Sequence, residues 1–415
     1  MMTSTGAGRR NGEGDKLASV VDQAPPRASL IYDPRVRGFF FQGVLVLLIG
    51  WMAYEAVTNA VENLRAARIA SGFGFLGQPA GFDINQTFIE YSAAASTYGD
   101  ALVVGLLNTL LVAAIGIVLA TIIGFAAGIA RLSKNWILAK VASAYVEIIR
   151  NLPLLLQLLF WYNAVLSTLP SARDAIELAP GFYLSVRGLS LPAAVFDGRA
   201  ILILIAFGVG IVVSLLVRRW AKARQAATGE QFPIGLTMLG LVVGLPVLAW
   251  LLLTLSGGTP VTFDVPQQGR FNLTGGSQLF PEFVALVLGL AIYTGAFIAE
   301  VVRAGILAVS RGQTEAASSL GLKPGQTMRF VIIPQAMRVI VPPLTSQYLN
   351  LTKNSSLAVA IGYPDLVQVF MGTVLNQTGQ AVEVVAITMA VYLIISLVTS
   401  FFMNMYNRRI ALVER

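Results

Sequence analysis

Eight separate stretches of the chain, near residues 39–58, 101–129, 140–168, 200–217, 234–255, 282–302, 338–361 and 382–404, come close to the run of about 20 mostly apolar residues that carries an α-helix across a bilayer. The first opens FFFQGVLVLLIGWMAYEAV, and the second contains LLNTLLVAAIGIVLATIIGFAAGIA. Lipid offers no water to unpaired backbone groups, so spans of this kind are held to helices. The pattern predicts an all-α membrane protein with about eight transmembrane helices. Composition agrees: 12% of the 415 residues are charged, against about 25% in an average soluble domain. Pro153 and the Pro342-Pro343 pair are expected to interrupt the third and seventh spans, because proline removes a backbone donor and kinks a helix.

The chain has no cysteine and no histidine. That excludes a disulfide scaffold, thiolate metal sites and thiol catalysis, and it removes the commonest general base and metal ligand. No metal, cofactor or enzymatic activity is expected. GxxxxGK[ST], the phosphate loop of ATP-hydrolysing chains, is also missing from the sequence.

Positive charge gives an orientation. With both termini placed in the cytoplasm, 21 of the 29 Lys and Arg fall on that side. Only Arg65, Arg68, Arg173, Arg187, Arg199 and Arg270 fall opposite, and Arg150 and Lys353 lie within spans. Cytoplasmic loops carry such an excess. The net charge of +8 is spread beside hydrophobic spans, so nucleic acid is not an expected partner. The head of the chain, residues 1–38, reads as a polar, disordered cytoplasmic tail. Segments 59–99, 169–199 and 256–281 read as external loops, the last as a hairpin or coil. Gly105, Gly116, Gly124 and Gly128 in the second span allow close helix packing, with Gly124 and Gly128 forming a GxxxG pair. Trp51, Trp161 and Trp220 suit aromatic belts.

The most informative stretch is GQTEAASSLGLKPGQTMRFVIIPQAMR, residues 312–338, between two spans on the cytoplasmic side. Glu315 to Leu320 can form a short helix ended by Gly321, where left-handed backbone is common. A turn at Lys323-Pro324-Gly325 and an apolar run from Phe330 follow, and the next helix can begin at Pro334. Such a knob suits the grip of a soluble partner.

This segment resembles a known family. The string EAASSLG, followed by Phe330 and Pro334, looks like the EAA loop of the membrane subunits of binding-protein-dependent ABC importers. The flanks YTGAFIAEVVRAGILAVSRGQTEAA and PQAMRVIVPPLTSQYLNLTKNSSLAVAIG resemble the polar amino acid importer permeases. GLLNTLLVAAIGIVLATIIGFAAGIARLS and EIIRNLPLLLQLLFWY are similar to the start of the same core. The resemblance covers roughly 99–169 and 281–405 and implies the five-helix core of a type I ABC importer permease. Around it the chain adds a helix and long outer loop at 39–98, an insertion with two more helices at 170–280, and a short cytoplasmic tail at 406–415. That layout looks like a permease of the general or glutamate/glutamine/aspartate/asparagine type.

The resemblance implies partners and roles. An ATPase subunit would hold the knob at 312–333 through Glu315, Ala316, Ala317, Gly321 and Pro334, with Glu315 pairing with a base in the loop or on the ATPase. A second, homologous permease would complete a heterodimer, and a periplasmic binding protein would deliver the amino acid.

Two further sets of residues stand out. The seventh span is polar at its middle, and Gln347, Asn350, Lys353, Asn354, Ser355 and Ser356 are candidates for a substrate path, because intramembrane polar groups usually face a cavity or one another. The resembled family often reads Lys-Asp-Thr-Ser-Leu where this chain reads KNSSL. With Asn354 in place of the acid, Lys353 favours acidic or neutral amino acids. Alternatively, Lys353 snorkels outward or pairs with Glu147, Glu300 or Asp365. Glu147 with Arg150, and Glu300 with Arg303, sit at i and i+3 and can form ion pairs that brace a gate or simply neutralise charge near the headgroups. The competing reading is an ion-coupled secondary carrier or channel, for which only Glu147, Glu300 and Glu383 could serve as relay groups. A membrane enzyme would need a carboxylate pair, metal cluster or nucleophile–base set that the chain lacks.

Overall fold

The computed structural model describes residues 34–66, 72–269 and 272–410. Of the tail expected over residues 1–38, residues 1–33 lie outside the described residues, as does the end of the chain after residue 410, while residues 34–38 are already helical. Residues up to Ser71 form one compact unit and those from Gly72 onward a second. Among its described residues the first unit presents one helix, α1 (Pro34–Ala66), apolar over residues 37–59 and buried nowhere along that stretch.

The second unit is built on helices α2 (Tyr98–Ala130), α3 (Trp136–Asn151) and α4 (Leu154–Leu159), followed by α5 (Ile201–Thr228) and α6 (Ile234–Leu255). The coupling region and last spans follow as α7 (Pro281–Leu307), α8 (Arg311–Ser319), α9 (Pro324–Thr327), α10 (Ile333–Asn354), α11 (Leu375–Thr378) and α12 (Ala381–Ile410). Thr97 caps α2 in a reciprocal capping box with Asp100.

Among the described residues six helices are long and apolar enough to cross a membrane, or seven if the α3–α4 pair counts as one span. The remaining expected stretch, 338–361, falls on α10, which is helical over Ile333–Asn354. Its polar middle leaves it less apolar than the other long helices. The break at Pro153 is a bend of 108° between α3 and the helical run from Leu154 to Thr168. Gln157 makes it tolerable: its side-chain amide donates to the carbonyls of Ile149 and Leu152, both at 3.0 Å, supplying partners at the helix end.

The expected interruption at Pro342-Pro343 does not occur. Helix α10 runs straight through both prolines to Asn354 and then tightens into a 3-10 turn over Ser355–Ile361, closed by Gly362 at φ 76°. Packing outweighs the two lost donors, for Ala336, Ile340, Val341 and Leu344 are buried along one side of the helix. On α7, Gly305 makes room for them; a Cβ there would meet Ile340 at 2.3 Å.

Helices α2 and α7 form the centre of the unit. The glycines of α2 behave as their spacing suggests: a Cβ at Gly124 would lie 2.4 Å from Ile298, and one at Gly128 would lie 2.7 Å from the carbonyl oxygen of Ala299. Val104, Val112 and Ala120 of α2 and Leu286, Leu290 and Ile298 of α7 are fully enclosed.

The two loops flanking α5 and α6 are not independent coils. Strands β1 (Ile176–Ala179), β2 (Phe182–Ser185), β3 (Gly188–Leu191) and β4 (Ala193–Phe196) precede α5. Strands β5 (Val261–Asp264), β6 (Gln267–Gln268), β7 (Leu273–Thr274) and β8 (Ser277–Leu279) follow α6. β1, β2, β3 and β8 make one antiparallel sheet, with Leu189 opposite Leu279, and β4 pairs with β5. The insertion is thus a helical hairpin closed at its base by paired strands. Its two helices touch over small residues; Gly210 lies where a Cβ would come within 2.7 Å of the Leu241 carbonyl oxygen.

Candidate functional site

Helix α8 stands between α7 and the helical run leading into α10. Three residues, Ala308 to Ser310, join it to α7. Its end is a complete Schellman motif, with Leu322 N–H donating to the Ala317 carbonyl at 3.1 Å and Gly321 N–H to that of Ser318 at 2.9 Å. Gly321 has φ 74°, and a side chain there would project into open space. The expected turn at Lys323-Pro324-Gly325 is instead the start of α9, since proline at a first helical position gives up a donor that has no partner anyway. A π-helical turn over Met328–Ile332 joins α9 to α10. Pro334 therefore lies inside a continuous helical run and does not begin it.

Glu315, Ala316, Gly321 and Pro334 are exposed, whereas Ala317 is buried at 3% and supports α8 from beneath. Glu315 makes no ion pair among the described residues. Gln335 donates to Gln313 at 3.0 Å and ties α8 to α10. Beside the knob, Leu320 is 82% exposed and Phe330 is 61% exposed. Two large apolar side chains are thus left uncovered next to α8.

Glu300 of α7 is the acceptor at the centre of the second site. Arg303 donates to it at 2.5 Å, Arg131 at the end of α2 donates to its other oxygen, and Arg150 of α3 lies 3.7 Å away. The Glu300–Arg303 pair is as its spacing implies. The Glu147–Arg150 pair is not formed, because Arg150 turns across to α7, where its guanidinium stands 5.1 Å from the centre of the Phe297 ring. Glu147 is exposed. Sequence spacing missed Arg131, whose only signal was its place just past a span. One carboxylate thus joins three helices and leaves an excess of positive charge.

On α10, Gln347, Asn350, Lys353 and Asn354 share one stripe of the helix by their i, i+3, i+6 and i+7 spacing. Asn350 and Lys353 are exposed, and Gln347 and Asn354 are half-buried. Lys353 pairs with none of Glu147, Glu300 and Asp365 and lines a cavity of ≈ 350 Å³ with Ser356, Thr388 and Tyr392. Ser356 donates to the Lys353 carbonyl at 2.7 Å. Ser355 is fully buried, donates to the Thr352 carbonyl at 2.7 Å and lies 3.4 Å from the Tyr392 hydroxyl. Tyr392 in turn donates to Asp365 at 3.1 Å, a network that the sequence did not reveal.

The acidic groups that a coupled carrier would need are dispersed. Glu383 accepts the backbone N–H of Gly72 at 2.6 Å, Glu300 sits among arginines, and no hydrogen bond joins either to Glu147. Among the described residues there is no set of three or more metal-ligating side chains.

Spanning helices around a tight α2–α7 pair, with an exposed helix between two spans, define a multi-pass membrane subunit of transport type. The model of the binding-protein-dependent transport system inner membrane component matches residues 233–412. Over 388 residues the chain is 53% identical to the General L-amino acid transport system permease protein AapQ of Rhizobium johnstonii, covering 93% of this chain and 95% of that protein. It is 51% identical to the Putative amino-acid ABC transporter permease protein YhdX of Escherichia coli K12, over 92% of this chain and 96% of the relative. It is 43% identical to the Glutamate/glutamine/aspartate/asparagine transport system permease protein BztB of Rhodobacter capsulatus, over 94% and 99%. The chain belongs to the family of amino acid ABC transporter permeases, the membrane-spanning subunits of binding-protein-dependent transport systems.

Proposed function

We propose that the chain forms, with a second homologous permease, the path by which polar L-amino acids cross a bacterial inner membrane, with both termini in the cytoplasm. The cargo is acidic or amide amino acids, or a broad range that includes them. ATP is hydrolysed by separate ATPase subunits, and a periplasmic binding protein supplies the amino acid. The observation that carries the reading is α8, an exposed helix joined to α7 by three residues and tied to α10 by the Gln335–Gln313 hydrogen bond. A force on α8 reaches both spans through short connections.

In this reading Glu315, Ala316 and Gly321 present the surface that the ATPase grips, Ala317 holds it in place, and Pro334 lies in the lever behind it. The stripe of Gln347, Asn350, Lys353 and Asn354 faces the path. An ammonium there with no ion-pair partner among the described residues favours the substrate carboxylate, because an opposite charge nearby stabilises it. The Glu300 cluster braces the cytoplasmic end, and closure of the ATPases around nucleotide shifts the balance between inward- and outward-facing states.

The test is uptake by proteoliposomes. The full set of two permeases, ATPase and binding protein should import labelled glutamate or glutamine only with internal ATP. Import that persists without the ATPase would contradict the proposal.

A further inference from the structure

The α5–α6 hairpin contributes no residue to α8, the Glu300 cluster or the polar stripe of α10. Helix α5 has 28 residues and so rises about 42 Å, more than the hydrocarbon thickness of about 30 Å. About twenty residues from Ile201 bring the helix to Trp220, which places Arg218, Arg219 and Lys222 at the level where headgroups begin.

Val212, Leu215, Leu216, Arg219 and Lys222 recur at helical spacing on one face. With Arg218 they line a groove of ≈ 410 Å³. The neighbouring cation is held apart from it: Arg224 pairs with Glu230 at 2.6 Å and stands 5.5 Å from the centre of the Trp220 ring. That ring meets Phe232 edge-on at 5.5 Å. Arg218, Arg219 and Lys222 make no ion pair among the described residues. Charge bias across the membrane accounts for cations at this end of a span. It does not account for their alignment with an apolar strip, nor for the aromatic brace beside the Arg224–Glu230 pair.

An apolar wall with three uncompensated cations at its foot is complementary to a molecule with a hydrocarbon body and an anionic head. We propose that this groove binds an anionic phospholipid, one acyl chain along Val212, Leu215 and Leu216 and its phosphate among Arg218, Arg219 and Lys222. The inserted hairpin is then a lipid-anchored element at the edge of the permease. Consistent with a lipid-facing place, the apolar stretch of α6 is buried nowhere in the chain. Which leaflet supplies the lipid rests on the orientation proposed above; binding itself does not.

The test uses the assembled importer in nanodiscs of mixed phosphatidylglycerol and phosphatidylcholine, read by native mass spectrometry. The variant R219Q/K222Q/T228K/Q231K moves two cations out of the groove while keeping the charge of that end. Each cation beside an anionic lipid surface contributes about fivefold in affinity. The expected result is retention of phosphatidylglycerol weakened roughly 25-fold, with phosphatidylcholine unchanged. Should that variant fail to assemble, K222Q/Q231K alone should show about a fivefold loss. Equal retention by wild type and variant would overturn the proposal, as would displacement of the bound lipid by inorganic phosphate. So would efficient cross-linking of L216C to the partner permease, which would place protein in the groove.

Discussion

Arg150 lies 3.7 Å from Glu300 on another helix and leaves Glu147, one turn away on its own, exposed and unpaired among the described residues. With Arg131 and Arg303 on the same carboxylate, Glu300 holds the ends of α2, α3 and α7 together. Glu300→Gln should therefore destabilise the purified assembly by about 2–3 kcal/mol, the order of a lost charged hydrogen bond with its partners left unsatisfied. Glu147→Gln should change stability by less than about 0.5 kcal/mol, as surface substitutions do. Thermal melts of the two variants decide the matter, and equal melting temperatures would remove Glu300 from the centre of the site.

The surface of α8 can be probed at Gly321 without disturbing the interior, because a side chain there meets nothing within 4 Å. Gly321→Glu should leave membrane insertion intact and abolish ATP-driven uptake by placing bulk and charge on the docking face. Gly321→Asn is the control, since asparagine tolerates left-handed backbone. It should retain most of the transport. Equal uptake by all three forms would exclude this face from docking.

Packing of α2 on α7 predicts a different kind of defect. A Cβ at Gly128 would lie 2.8 Å from that of Val302 as well as against the Ala299 carbonyl, so Gly128→Ala should force the helices apart at a cost of about 1–3 kcal/mol. Gly208→Ala on α5, where nothing lies within 4 Å, should instead stabilise by up to about 1 kcal/mol, the helix-propensity gain of alanine over glycine. Unfolding of the two variants in detergent measures the difference, and similar stabilities would show that the crossing can relax.

Asn354 is half-buried next to Lys353 on the polar stripe of α10. Asn354→Asp adds a carboxylate beside that ammonium and should shift competition for uptake toward lysine and arginine. An unchanged competition profile would detach the stripe from substrate selection.

Much of this was legible in the chain because it depends on local rules. Apolar length marked the helices, Pro153 marked a break, Gly321 marked the end of α8, and the glycine spacing of α2 marked its packed face. What was missed depends on contacts between distant segments. The i, i+3 rule pairs residues on one helix, so it assigned Arg150 to Glu147 and could not see Arg131 arriving at Glu300 from α2. Pro342-Pro343 read as a break because the packing of Ala336 and Ile340 against α7 is not written in the neighbouring residues. The pairing of Leu189 with Leu279 spans the whole inserted hairpin. The loops on either side of it therefore gave no sign of forming one sheet.

If an ATPase acting on α8 moves this subunit, transport depends on that ATPase and not on an ion gradient. This dependence is tested most directly by comparing liposomes that hold the purified chain alone, under an imposed proton or sodium gradient, with liposomes that hold the complete importer and ATP. Labelled amino acid should accumulate only in the second preparation, and Gly321→Glu should abolish that accumulation. Accumulation by the chain alone, driven by the gradient, would contradict that dependence.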